Sequence, residues 1–258
     1  MDLIIFCGQS NMQGQCEVLS ENAVVESAWE YKWLTDELVP LKNPVGENIT
    51  YDRKAGYVLE ENSAIMPWWR QHVTGSACYN HTNLVPSFCR IYTQMTKREV
   101  LAAHIAKGST TIDRWLPGSD GYQMLVQKTN AAREKAECEH VFLVWLQGES
   151  DAIEAKNKET YKNDMAKLYQ TLQKDVGLEK FGVIRVGRFT GDQRDEEIIA
   201  AQDEICLENP GFLMLTDIAV ELNEQPEYMN PFVKGHYSAK GLEKLGCEAA
   251  KTMASYVK

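Results

Sequence analysis

Apolar residues gather in runs of strand length along this chain. The first is residues 3–7 (Leu-Ile-Ile-Phe-Cys), which ends at Gly8-Gln9-Ser10-Asn11. A short, continuous apolar run bounded by turn residues fits a strand covered on both faces. Residues 99–105 (Glu-Val-Leu-Ala-Ala-His-Ile) stop at Lys107-Gly108-Ser109, and residues 140–146 (His-Val-Phe-Leu-Val-Trp-Leu) stop at Gln147-Gly148-Glu149. Residues 181–186 and 212–215 are two more such runs. Between them, residues 87–95, 122–138, 158–174, 193–207 and 238–256 carry helical spacing. In 158–174, Tyr161, Met165, Leu168 and Leu172 share one stripe. Ser238 is placed to cap the last helix.

Five strands alternating with helices predict one α/β domain across residues 1–258. It is a three-layer α/β/α arrangement around a mainly parallel five-stranded sheet. In such sheets ligands bind at the carboxyl ends of the strands. Three strands end there in glycine-containing polar turns, and a fourth polar segment, around His236, precedes the last helix. Residues 15–85 read differently, as an irregular excursion holding Trp29, Trp33, Trp68 and Trp69. A stretch that long is usually functional, and it is expected to overhang the strand ends and shape a substrate cleft.

Composition narrows the partners. Of 258 residues, 44% are apolar and 25% charged, with a net charge of -10. That balance disfavours nucleic acid and anionic membranes, which want a basic face. No apolar run reaches the roughly 20 residues of a membrane span. The first residues lack the basic start and long apolar middle of a secretory signal. Seven cysteines with diffuse spacing and no Cys-x-x-Cys pair predict reduced, packed thiols in a cytoplasmic protein and no zinc site. No phosphate-loop or dinucleotide pattern is present, so no cofactor is expected.

Candidate chemistry starts at Ser10. A glycine turn after the first strand would project its hydroxyl at the strand's carboxyl end, although a serine there also serves as a turn or cap residue. As a nucleophile it needs a base, and histidine suits neutral pH. Five histidines are present: 72, 81, 104, 140 and 236. His104 and His140 fall inside strands, and His72 and His81 inside the excursion. His236 lies in a loop at a helix start, where an imidazole can face a cleft.

Four segments occur in order: Gly8-Gln9-Ser10-Asn11-Met12; Gly108-Ser109 with Trp115 following; Trp145-Leu146-Gln147-Gly148-Glu149-Ser150-Asp151; and His236-Tyr237-Ser238-Ala239-Lys240-Gly241. Together they resemble the SGNH hydrolase superfamily, with its flavodoxin-like sheet. Within it they resemble the sialate O-acetylesterase and acetylxylan esterase branch, carbohydrate esterase family six. The resemblance implies that Ser10 attacks an acetyl carbonyl with His236 as base. It also implies an oxyanion hole formed by the backbone N–H of Ser10, the backbone N–H of Gly108 and the side-chain amide of Gln147. One position departs from the pattern: many relatives carry Asp three residues before the histidine, where this chain has Val233. Glu149 is the candidate to orient His236 instead, the Val233 carbonyl is the main alternative, and Asp217 and Asp151 are further ones.

The implied activity is a carbohydrate O-acetylesterase acting on a small-molecule or oligosaccharide acetyl ester. An SGNH thioesterase or lipid esterase, and a non-catalytic sugar-binding protein on the same scaffold, are the alternatives. Trp115 and the Trp68-Trp69 pair are candidates for sugar stacking or for core packing. Asn11, Asp113 and Arg114 are candidate substrate contacts, the last two also candidate ion-pair partners.

Overall fold

The computed structural model describes residues 1–14, 16, 22–46, 82–231 and 233–257. Trp68, Trp69, Arg70, His72, Cys78 and His81 lie outside them.

The five apolar runs form strands β1 (Asp2–Gly8), β4 (Val100–Ala106), β5 (His140–Leu146), β6 (Lys180–Ile184) and β7 (Phe212–Thr216). Every residue of β1 is buried, as its unbroken apolar character requires when helices cover both faces. Asp2, at its start, is sealed by the Arg98 guanidinium, whose Nε lies 2.7 Å from the carboxylate.

The sheet has seven strands rather than five, in the order β3-β2-β4-β1-β5-β6-β7. The two additional strands, β2 (Ala28–Lys32) and β3 (Glu37–Pro40), lie inside the stretch expected to be irregular. They form an antiparallel hairpin, and β2 pairs parallel with β4. Their charged residues hide them from a periodicity reading. Glu30 is fully buried, yet it accepts from the Gly46 N–H at 2.7 Å and pairs with Lys32 at 2.8 Å. A buried carboxylate so partnered is tolerated in a strand.

The principal helices are α1 (Ser10–Gln13), α2 (Val85–Thr96), α3 (Asp120–Arg133), α4 (Glu149–Ile153), α5 (Lys158–Val176), α6 (Gln193–Glu208), α7 (Ala219–Asn223) and α8 (Ala239–Val257). One group packs α2 against α8; a second packs α3 against α5 and α5 against α6. Side-chain caps start several of them. Ser119 accepts from the Tyr122 N–H, Asn157 from the Thr160 N–H, and Ser238 from the Gly241 N–H. None of the described helices is long and apolar enough to cross a membrane.

The site follows from the topology. β1 lies between β4 and β5, where the strand order reverses, and all three run parallel. Their last residues are in register, with Gly8 opposite both Ala106 and Leu146. The turns that follow therefore start side by side at the carboxyl edge, the crevice in which such folds bind ligands. Gly8 is required there: a Cβ on it would stand 2.0 Å from the Leu146 carbonyl oxygen.

Candidate active site

Ser10 is the first residue of α1 and is nearly buried, at 6% exposure. Its backbone N–H, at a helix start, has no acceptor among the described residues. His236 arrives from the far end of the chain, in the loop before α8. Its Nε2 lies 2.8 Å from the Ser10 hydroxyl oxygen, and its Nδ1 lies 3.1 Å from the Lys234 carbonyl oxygen. A carbonyl only accepts, so Nδ1 carries the proton and Nε2 presents a bare lone pair to the serine O–H. Burial pushes the imidazole below its ordinary value, and the Lys234 carbonyl partly offsets that.

Among the described residues no carboxylate contacts this histidine, which corrects the expectation for Glu149. The Glu149 carboxylate accepts instead from Asn11 Nδ2, at 2.8 Å. The Val233 carbonyl, the main alternative, is taken by the backbone N–H of His236 at 3.2 Å. The reason is the tight turn at Gly235, where φ is +76°. It folds the chain so that the carbonyl two residues back reaches the ring. A Cβ at Gly235 would also strike the Phe189 ring, 1.9 Å from its Cε2, and that ring packs edge-on to His236 at 6.1 Å between centroids.

Asn11 is not placed to meet substrate. It is 2% exposed, and its amide is committed to Glu149, to the Gly235 carbonyl at 3.4 Å and to the Tyr237 N–H at 3.2 Å. Glu149 is itself buried, with its carboxyl pushed up by that burial. The Asn11 hydrogen bond counters the rise, and the second carboxylate oxygen, Oε2, has no hydrogen-bond partner among the described residues.

Gln147 also departs from its expected part. It is fully buried, and its Nε2 donates to Asp151, to the Thr110 carbonyl at 2.9 Å and to Gln9 Oε1 at 3.2 Å. Its Oε1 accepts from the Tyr161 hydroxyl at 2.9 Å. Two amide protons shared among three acceptors leave none for an oxyanion. The residue ties the turns after β1, β4 and β5 together. Gln9 ties the turns after β1 and β5 from the other side, its Oε1 also accepting from the Gly148 and Ser150 N–H groups. Asp151, with its carboxyl pushed up to about 6 by burial, accepts from the Ile112 N–H and lies 3.4 Å from Lys156 Nζ.

The Gly108 N–H donates to Gln13 Oε1 at 2.9 Å, so an acceptor oxygen already rests against it. Trp115 is core, with no exposed surface, packed edge-on to Trp145. Its indole N–H reaches Thr110 Oγ1 at 3.3 Å. Asp113 pairs with Lys156 at 2.8 Å and Arg114 with Asp120 at 2.7 Å, the ion-pair arrangement of the two considered for them. Reasoning from sequence missed Gln9, Gln13, Lys234 and Phe189. Gln9 lies inside the first recognisable segment, Gln13 directly after it and Lys234 two residues before the last, whereas nothing in the sequence around residue 189 marks it.

Comparison with known proteins places the chain in a class. The profile of the family described as "Carbohydrate esterase, sialic acid-specific acetylesterase" matches residues 1–255, and the chain belongs to that family. It is 25% identical over 226 residues to a probable carbohydrate esterase of Arabidopsis thaliana, covering 83% of this chain and 82% of that protein. An Arabidopsis thaliana crystal structure superposes with a TM-score of 0.71 at 19% identity, covering 98% of each chain. NanS superposes with 0.67 at 13% identity, over 99% of this chain and 96% of that one. A catalytic mutant of Axe2, an acetylxylan esterase from Geobacillus stearothermophilus, gives 0.52 at 8% identity, over 96% and 91%. The fold is therefore that of the SGNH-type hydrolases.

Proposed function

We propose that this protein is a carbohydrate O-acetylesterase that works through Ser10 and His236, without a side-chain acid on the histidine. The observation that carries the reading is the 2.8 Å approach of His236 Nε2 to the Ser10 hydroxyl, with Nδ1 anchored on the Lys234 carbonyl.

The chemistry follows from those two contacts. His236 takes the hydroxyl proton as Ser10 Oγ attacks the acetyl carbonyl carbon. The carbonyl oxygen becomes an oxyanion, which accepts from the Ser10 N–H and from the Gly108 N–H after displacing Gln13 Oε1. Each preorganised donor contributes on the order of 3 kcal/mol of barrier lowering. Collapse breaks the ester C–O bond, and the imidazolium returns its proton to the leaving sugar alkoxide. Water, deprotonated by the neutral histidine, then attacks acetyl-Ser10. Acetate leaves and Ser10 recovers its proton. A carbonyl dipole stabilises the imidazolium less than a full carboxylate would. The sugar assignment is supported by family membership and by the names of the relatives.

Hydrolysis of para-nitrophenyl acetate, butyrate and octanoate, followed by acetate release from acetylated sugars, tests the reading. Acetate preference lost in Ser10→Ala is expected. Preference for the octanoate ester would point to a lipid esterase, and turnover independent of Ser10 would overturn the mechanism.

A further inference from the structure

Among the buried groups that the reaction steps leave unused, Glu149 and Asn11 have the strongest connection to the site. Asn11 follows the nucleophile directly in sequence. It grips the backbone on both sides of His236, its Nδ2 reaching the Gly235 carbonyl at 3.4 Å and its Oδ1 accepting from the Tyr237 N–H at 3.2 Å. These bonds span 224 and 226 positions of sequence. They join the segment carrying the nucleophile to the segment carrying the base. A carboxamide can do this only in one rotamer, with nitrogen toward Gly235 and oxygen toward Tyr237, and those two contacts, at 3.4 and 3.2 Å, are long and hold that rotamer only weakly. The Glu149 carboxylate adds the shortest of the three contacts and so the strongest constraint. It can only accept while ionised, and at 2.8 Å it fixes which end of Asn11 carries the N–H groups.

We propose that Glu149 is a positioning residue that acts on His236 through Asn11: it orients the Asn11 amide, and the oriented amide holds the Gly235–Tyr237 backbone so that His236 meets Ser10. The inference rests on the Ser10–His236 reading above. The residue expected to support the histidine by direct contact thus supports it at one remove, through hydrogen-bond direction rather than through charge. Nothing is transferred in this step; only the alignment of donor and acceptor is set. Misplacement of a catalytic group by about 1 Å lowers rates on the order of a hundredfold.

Reversing the polarity of the pair tests this. Glu149→Gln keeps an acceptor oxygen for Asn11, so kcat for para-nitrophenyl acetate at pH 8 should stay within about threefold of wild type, whereas Glu149→Ala should lower it at least tenfold with little change in KM. Asn11→Asp sets two carboxylates against each other and should lose about a hundredfold. The double variant Asn11→Asp, Glu149→Gln lets the new amide donate to the new carboxylate, and should recover at least tenfold over Asn11→Asp. Circular dichroism at the assay temperature separates loss of fold from loss of alignment, and the double variant gives an answer even where Glu149→Ala does not fold. Loss in Glu149→Gln equal to that in Glu149→Ala, or no recovery in the double variant, overturns the proposal. Wild type without Ser10-dependent turnover overturns the serine-esterase reading and this inference with it, whereas active wild type with unaffected variants overturns this inference alone.

Discussion

The Lys234 carbonyl oxygen lies 3.1 Å from Nδ1 of His236, in the place that a carboxylate side chain takes in a triad. It fixes the tautomer, but it brings no negative charge to raise the imidazole pKa, while burial lowers it. Only the neutral ring accepts the serine proton. The acid limb of kcat/KM should therefore fall at a pH below the ordinary histidine value of about 6.5, and activity should persist into mildly acidic solution. A limb midpoint at or above 7 would show a carboxylate partner acting on the ring.

Gln147 is wired as a strut, and its loss should register as stability. Gln147→Ala takes one buried donor from Asp151 and one from the Thr110 carbonyl and should lower unfolding free energy by about 2–4 kcal/mol in denaturant titrations. An oxyanion donor at this position would instead show an unchanged unfolding midpoint with kcat reduced at least a hundredfold.

Asp151 gives a pH signature in stability. Its folded value, about 6, lies above the value near 3.9 of an exposed aspartate, so the folded state holds the proton longer than the unfolded chain. The group's contribution is then fullest below pH 4, declines as pH rises from about 4 to 6, and is flat above. The difference in unfolding free energy between wild type and Asp151→Asn should follow that course, falling by on the order of 3 kcal/mol. A difference that rises with pH through this window would contradict the assignment.

Gly235 and Phe189 are matched in shape. Gly235→Ala places a methyl group on the ring and on a left-handed backbone at once, so kcat should drop as the His236 loop shifts. Adding Phe189→Ala removes the clash and should recover part of the loss. Equal losses in the single and double variants would assign the whole effect to the backbone.

Trp115→Ala should act as a core truncation, costing about 3–5 kcal/mol of stability. KM for an acetylated sugar should not change in the protein that remains folded. A raised KM at unchanged stability would return Trp115 to the substrate.

The strands that position the site were legible because unbroken apolar runs ending in glycine turns have few other uses. The hairpin of β2 and β3 was not, because Glu30 and Lys32 interrupt its pattern and are reconciled only by contacts with each other and with Gly46. Ser10 and His236 could be nominated from motif and loop position. The partner of the histidine could not, since a backbone carbonyl leaves no mark in sequence. Sequence leaves Trp115 open between sugar stacking and core packing, and only the resemblance gives Gln147 to an oxyanion hole; the structure buries both. A tryptophan after a turn and an amide at a strand end look the same in sequence whether they face a ligand or a neighbouring turn.

The most direct test of the account is mass spectrometry of the protein after reaction with a fluorophosphonate. One adduct mapping to Ser10, absent in Ser10→Ala and formed at least a hundredfold more slowly in His236→Ala, is the predicted result. No adduct, or one that forms on another residue at the same rate in all three proteins, would contradict the central claim.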